Sequence, residues 1–162
     1  MQLKPRFVYH IKDEYFHLAN DSKLMRNHEG GACRPTYYCL LDEKTGLSWV
    51  VPMSRRVEKY QAIVQRDIDK RGRCIKIVIG DFAGRNVVFL LQNMFPILPE
   101  YIDHIHTVKQ KEIPVNERLA KQIDQNFREV RRLHARGAKV VFPDIDRLEQ
   151  LMLACRQKDQ QI

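Results

Sequence analysis

The chain has 162 residues, of which 44% are hydrophobic, so we expect one domain over residues 1–162 with one sizeable core. No apolar run approaches the length of a membrane-spanning helix, and the first residues lack the apolar segment of a signal peptide. Four dispersed cysteines without a CxxC pair argue against a zinc knuckle and indicate reduced thiols. We therefore expect a cytoplasmic protein without a cofactor.

The net charge is the strongest signal in the composition. The chain carries 28 Lys and Arg against 20 Asp and Glu, which gives a net charge of +8 and a pI near 9.5. Such an excess is typical of proteins that bind a polyanion, although an ordinary basic protein shows it too. The distribution of the cations along the chain has to decide between the two.

The N-terminal third predicts a strand, a helix and a hairpin. Residues 6–11 (RFVYHI) form the strand, and residues 13–25 the helix, with Asp13 as its candidate N-cap. A glycine-containing loop follows, without a GxGxxG or Walker motif, so nucleotide binding has no support. Residues 36–41 and 47–51 then form the hairpin, and we expect Pro52 to end its second strand.

The remainder predicts two amphipathic helices around further strands. Residues 57–70 have helical spacing, residues 74–79 and 86–92 are strands, and residues 101–108 alternate so that two histidines share one face. Residues 117–135 form the clearest helix, behind the N-cap Asn116. A short strand over residues 139–142 and a helix over residues 144–153 close the chain. Central strands with peripheral helices indicate an α+β fold with a small antiparallel sheet or barrel.

One face of the 117–135 helix is basic. Its apolar residues recur at spacings of three and four, and Lys121, Arg128 and Arg132 recur on the opposite side. This face is either simply solvated or a ridge that follows RNA phosphates. The spacing leaves both interpretations open.

Ser54 follows the hairpin among cations. Arg55 and Arg56 come directly after it, and Lys59 lies one helical turn further on. A serine hydroxyl among fixed cations is suited to hold a phosphodiester, but Ser54 is equally suited to cap the next helix. The chain has no GxSxG elbow and no acidic cluster beside the His104-x-His106 pair, so neither a serine hydrolase nor a metal site is indicated.

Metal-free RNA cleavage fits this residue set. The ribose 2′-hydroxyl supplies the nucleophile, so the protein needs only to orient it, stabilise the phosphorane charge and assist proton transfer. Ser54 would position the substrate rather than abstract a proton. His10 is the nearest imidazole that could handle a proton or contact RNA, and its alternative is a structural strand-edge histidine.

The hairpin followed by PMSRRVEKY, and then VVFLLQNMFPI, resembles the toxins of type III toxin–antitoxin systems. These form the ToxN/AbiQ superfamily with its CptN and TenpN branches. The similarity runs from residues 9–11 to the closing helix. It implies a compact antiparallel barrel, SH3-like and related to the MazF/Kid endoribonucleases, with surrounding helices.

The resemblance also implies an activity and a partner. The activity is metal-independent, sequence-preferring RNA cleavage that leaves a 2′,3′-cyclic phosphate. The partner is a small structured repeat RNA, the antitoxin, which the toxin processes and which masks its active site in a protein–RNA assembly. The usual setting is abortive defence against phage.

The resemblance also implies roles for individual residues of this chain, which match functional positions of the family. Ser54 matches the active-site hydroxyl after the proline, and Arg34 matches a basic position to within one residue. Arg55 or Arg56 stands where the family often has lysine, with Lys59 as a further candidate, and Tyr15 falls near a family tyrosine. A non-catalytic basic RNA-binding adaptor is the alternative function. A DNA-binding regulator has no helix-turn-helix signal in its favour.

Overall fold

The computed structural model describes residues 2–161, in which an antiparallel sheet is surrounded by four α-helices. The strands are β1 (Val8–Ile11), β2 (His28–Glu29), β3 (Ala32–Cys33), β4 (Thr36–Asp42), β5 (Leu47–Ser54), β6 (Ile77–Phe82), β7 (Arg85–Leu90), β8 (Phe95–Ile97), β9 (Ile102–Ile105), β10 (Thr107–Val108) and β11 (Lys111–Glu112). The helices are α1 (Asp13–Ala19), α2 (Val57–Arg71), α3 (Glu117–Ala135) and α4 (Ile145–Gln160). The predicted α+β class is confirmed.

The main sheet has seven strands and is open. Its order is β6-β7-β5-β4-β1-β9, and β8 also pairs with β5. The two outer strands, β6 and β9, do not pair with each other within the described chain. The predicted closed SH3-like barrel is therefore not confirmed. The pairs β2–β3 and β10–β11 form two separate small hairpins.

The central strand β5 pairs on both edges, and Pro52 lies inside it rather than ending it. The Met53 N–H donates to the Pro35 carbonyl on the β4 side, at 3.0 Å. Successive backbone N–H groups point to opposite edges, so position 52 faces the other edge. There the pairing with β8 stops at Val50 and the pairing with β7 begins at Met53. The N–H that proline lacks falls in this gap, which is why the strand continues to Ser54.

The two faces of the sheet bury different clusters. On one face, α3 contributes Ile123 and Phe127 to a core with Trp49 and Phe89, and the Trp49 and Phe127 rings meet edge to face at 5.8 Å. On the other face, α1 and α4 pack over residues such as Tyr9 and Phe95. A third cluster, Tyr60, Ile77, Val88 and Leu90, lies under α2. Ser54 pairs with Val88, and Met53 pairs with Phe89, so β5 ends between two separately packed regions.

Helix ends explain most of the remaining differences from the predicted elements. Helix α1 stops at Ala19 because Asn20 adopts the left-handed conformation with φ 46°, so the predicted extension to residue 25 does not form. Residues 139–142 form no strand, and α4 runs on to Gln160. Helix α3 has the predicted bounds, and the Asn116 side chain accepts the Leu119 N–H at 2.9 Å as predicted. None of the helices in residues 2–161 has the length and apolarity needed to span a bilayer.

Candidate functional site

The C-terminal end of β5 opens onto a cleft of about 490 Å³. Ser54 comes from this strand end, Arg34 lies just before β4, and Arg56 and Lys59 come from the N-cap and the first turn of α2. The β2–β3 hairpin forms a wall of the cleft with Glu29. Four of the six residues predicted to be catalytic thus lie around one cavity, although they are spread over 26 sequence positions.

Arg34 is the most constrained side chain of the cleft. It is only 7% exposed, and its Nε donates to the Arg26 carbonyl at 2.8 Å. One terminal nitrogen, Nη1, donates to the Met53 carbonyl at 2.9 Å, and Nη2 lies 3.1 Å from a carboxylate oxygen of Glu29. A guanidinium has five N–H donors, so this arrangement fixes its position and leaves donors for a further acceptor.

Glu29 joins two arginines of the cleft and was not predicted from the sequence. Its Oε2 faces Arg34, and its Oε1 lies 2.8 Å from Nε of Arg56. The hairpin places it there, because Gly30 and Gly31 both take positive φ and turn the chain back on itself. The Gly-Gly pair was the available signal: read as a two-residue turn, it predicts that Glu29 approaches the start of β4.

The Ser54 hydroxyl hydrogen-bonds the backbone just before α2, which is close to the capping role that the sequence left open. Its Oγ accepts the Arg56 backbone N–H at 3.2 Å, just before α2 begins. The residue preceding α2 is Arg56, whose own side chain makes no capping bond. The contact orients Oγ as an acceptor, so the hydroxyl proton can be donated to a ligand oxygen in the cleft.

The cleft is electropositive. Arg26, Arg34, Arg56 and Lys59 line it, against the single carboxylate of Glu29 among the described lining residues. The start of α2 contributes Arg56, Lys59 and Tyr60 to the lining, and the N-terminus of a helix carries partial positive charge. This combination favours an anion such as a phosphodiester.

Helix α1 holds the hairpin wall in place. The Asn27 side-chain amide donates to the Ile11 carbonyl at 2.8 Å and to the Asp13 carboxylate at 2.9 Å. The His28 ring lies 2.7 Å from the same carboxylate. The Asn27 hydrogen bond, followed by that of His28, lowers the pKa of Asp13. The wall that carries Glu29 is therefore tied to the main sheet rather than free to swing.

Arg55 does not line the cleft, and its charge acts on a cluster of three histidines. It is exposed, and burial followed by the Arg55 charge lowers the pKa of His106. The His10 ring lies 2.8 Å from His106, and it stacks on His104 with centroids 4.6 Å apart. Burial, with the two neighbouring histidines, lowers the pKa of His10 to about 4. The structure thus separates His10 and Arg55 from the Ser54 cleft.

Tyr15 lies in the core and not in the cleft. It is fully buried, its hydroxyl donates to the Pro96 carbonyl at 2.9 Å, and its ring stacks on Phe95. Burial raises the pKa of Tyr15 far above that of a free tyrosine, so the side chain stays neutral. Tyr15, predicted to be catalytic, is thus not brought together with the cleft residues, because α1 turns its hydrophobic face, including this tyrosine, onto the sheet.

The basic residues of α3 lie outside the cleft. Lys121, Arg128 and Arg132 are exposed on the outer side of the helix. Lys121 pairs with Glu117 at 3.4 Å and Arg132 approaches Glu129 at 4.0 Å, so two of the three have a carboxylate within ion-pair distance. Exposed pairs of this kind contribute little to stability and open readily to a polyanion.

Comparison with known proteins gives a match in fold. No protein-family model matches the chain, and neither does any curated protein sequence. Among solved structures, it matches AbiQ, a lactococcal anti-phage endoribonuclease belonging to the type III toxin–antitoxin system. The match has a TM-score of 0.71 at 16% identity and covers 95% of this chain and 99% of AbiQ. The chain has the AbiQ fold. The resemblance seen in the sequence is thus confirmed for the fold.

The burial of Tyr15 predicts a stability effect. Tyr15→Phe removes one hydrogen bond and strands the Pro96 carbonyl, so we expect a loss of about 1–2 kcal/mol in the free energy of unfolding. Urea denaturation measures it. Tyr37→Phe is the matched control, because Tyr37 is as deeply buried and its hydroxyl makes no hydrogen bond within residues 2–161. Equal losses in the two variants would contradict the role assigned to the Tyr15 hydroxyl.

The histidine cluster predicts acid sensitivity. The pKa of His10 is lower in the folded state than in the unfolded chain, so the unfolded chain binds more protons between about pH 6.5 and pH 4. Stability should therefore fall as the pH drops through this window, by on the order of 2–3 kcal/mol for His10. Denaturation curves at several pH values measure the slope. His10→Gln should flatten it, whereas His17→Gln, at an exposed position, should not.

Proposed function

We propose that this protein is an endoribonuclease toxin of a type III toxin–antitoxin system. The observation that carries the proposal is the cleft at the end of β5, which joins the Ser54 hydroxyl to Arg34, Arg56 and Lys59. This set lies on a fold shared along nearly the whole chain with an endoribonuclease of such a system. The proposed reaction is metal-independent cleavage by the ribose 2′-hydroxyl, which leaves a 2′,3′-cyclic phosphate.

Each cleft residue has a part in this reaction. Arg56 is 61% exposed in its side chain and can turn its guanidinium to a phosphate, whereas Arg34 is fixed by its backbone contacts. The two would flank the phosphate, with Lys59 behind Arg56, and stabilise the charge that builds up on the non-bridging oxygens. Ser54 would donate its hydroxyl proton to a phosphate oxygen and so hold the scissile group in line.

The choice among the three cations after Ser54 follows from their placement. Arg56 and Lys59 line the cleft, whereas Arg55 does not and is near enough to His106 for its charge to act there. We therefore assign the phosphate contact to Arg56 and place Arg55 outside the catalytic group. His10, which is buried and neutral, is placed outside it too.

The proposed partners are two kinds of RNA. Cellular or phage RNA is the substrate, and a small structured repeat RNA is the antitoxin, which the protein processes and which then covers the cleft in a cytoplasmic protein–RNA assembly. The setting is defence against phage. The exposed cations of α3 offer a second surface on which an RNA larger than the scissile site can rest.

Loss of the Ser54 hydroxyl should abolish toxicity. Expressed without any partner RNA, the wild type should arrest bacterial growth and accumulate RNA with 2′,3′-cyclic phosphate ends. Ser54→Ala should lower the cleavage rate by about 10²-fold or more, as for other positioned hydrogen-bond donors. Thr107→Ala removes an exposed hydroxyl elsewhere and should stay toxic. A wild type that leaves RNA intact contradicts the proposal, and RNA binding without cleavage would favour the adaptor function.

The basic face of α3 should contribute salt-sensitive RNA binding. Removing Lys121, Arg128 and Arg132 together, as glutamines in the Ser54→Ala background, should reduce the slope of log affinity against log salt for single-stranded RNA. Each phosphate that a side chain no longer neutralises lowers this slope by about 0.7. The control is a triple variant of equal charge at exposed lysines, Lys44, Lys70 and Lys158. Equal affinity in the two variants would mean that the α3 face is merely solvated.

A further inference from the structure

The carboxylate of Glu29 has no assigned part in the chemistry, and its position is unusual for a phosphate site. It is the one acidic side chain among the described residues that line the cleft, and it lies between the two arginines proposed to hold the phosphate. A negative charge there weakens the attraction for RNA. Its side chain is 37% exposed, so it is accessible from the cleft rather than sealed beneath it.

We propose that Glu29 is the general base of this site and takes the proton from the attacking 2′-hydroxyl. This inference rests on the proposed function, because it supplies the proton acceptor that Ser54 cannot be. An ionised carboxylate is a competent acceptor for a hydroxyl proton when it is within hydrogen-bond reach. His28 is another proton acceptor among the described residues that line the cleft, but its ring is engaged by the Asp13 carboxylate at 2.7 Å, and none of the rest is a carboxylate. The cations beside Glu29 keep it in place.

The different anchoring of the two arginines would expose the base when RNA arrives. Arg34 is held by two backbone carbonyls and stays on Oε2 of Glu29. Arg56 has an exposed side chain and touches Oε1 only, so it can transfer to the incoming phosphate. Its departure frees Oε1 to accept the 2′-hydroxyl proton. Arg34 meanwhile keeps the carboxylate oriented, as second partners of catalytic groups commonly do.

The proton and electron balance of this step closes without any further reagent. The 2′-hydroxyl proton passes to Oε1 of Glu29, and the 2′-oxygen forms a bond to phosphorus. The bond from phosphorus to the 5′-oxygen breaks, and its electron pair leaves on that oxygen. Water at the open mouth of the cleft protonates the 5′-oxygen, and the resulting hydroxide takes the proton from Glu29. The products are a 2′,3′-cyclic phosphate and a 5′-hydroxyl, and the carboxylate is restored.

An alternative role for Glu29 predicts the opposite effect on RNA binding and on the rate of cleavage. If its carboxylate only occupies the arginine pair until a phosphate displaces it, removing the charge should strengthen RNA binding and leave cleavage intact or faster. A general base, by contrast, is needed in the chemical step. The two roles therefore separate when the rate of cleavage and the affinity for RNA are measured apart.

The test uses the full chain and a single-stranded RNA of mixed sequence. Cleavage is followed as new 2′,3′-cyclic ends under single-turnover conditions with excess protein, from pH 4 to pH 8. Glu29→Gln should slow cleavage by about 10²- to 10⁴-fold while RNA affinity is unchanged or higher. If Glu29 is the base, the wild type should cleave faster as the pH rises on the acid side, and Glu29→Gln should remove that rise. Glu43→Gln, an exposed position in the β4–β5 turn, removes the same charge and should behave as wild type.

A conservative variant covers the case in which Glu29→Gln does not fold. Glu29→Asp keeps the charge that Arg34 requires but withdraws the carboxylate by one methylene, so it should fold with a normal melting temperature and cleave at least about 10-fold more slowly. Wild-type rates in both Glu29 variants, or an unchanged acid limb, would overturn the general-base assignment alone. A wild type that cleaves no RNA would overturn the proposed function itself.

Discussion

The burial of one positive charge links the parts of the candidate site. Moving a guanidinium out of water costs several kcal/mol unless good partners replace the solvent. Arg34 finds its partners on three segments: the Arg26 carbonyl before the hairpin, the Met53 carbonyl in β5, and Glu29 in β2. The hairpin therefore has to close against the end of β5 for Arg34 to be buried at all. The Arg34 guanidinium thus fixes both the β2–β3 hairpin, which forms the wall of the cleft, and the end of β5, which forms its floor.

Successive side chains at the end of β5 lie in different surroundings. Strand alternation sends Met53 into the core under α3 and Ser54 toward the α2 side, as their partners Phe89 and Val88 show. The two arginines that follow differ as well, since Arg56 lines the cleft and Arg55 does not. Ser54 thus owes its position to a well-packed neighbour in the core. A rigid support of this kind is what a positioning hydroxyl requires.

Features that depend on local patterns were predictable from the sequence, and features that depend on remote pairing were not. The bounds and cap of α3 follow from helical periodicity and from Asn116. The grouping of Ser54, Arg34, Arg56 and Lys59 was accessible through the resemblance. Whether the sheet closes into a barrel was not predictable. Closure would need β6 to pair with β9, and the local sequence of these strands gives little preference for or against that pairing. Glu29 was missed because two-residue strands leave almost no periodic signal. The core position of Tyr15 was not evident, because a tyrosine suits both a core and a catalytic site.

The two basic regions of the chain constrain how the proposed RNA partner can lie on it. Helix α3 covers the face into which Met53 and Phe89 point, whereas the Ser54 cleft opens beside the N-terminus of α2. A short substrate that fills the cleft therefore does not reach the outer side of α3. A proposed RNA partner in contact with both would have to bend from one surface to the other. A folded RNA meets this requirement at lower entropic cost than a flexible strand, because its bend is already formed. Surface charge outside the cleft would then favour a structured inhibitor over single-stranded substrate.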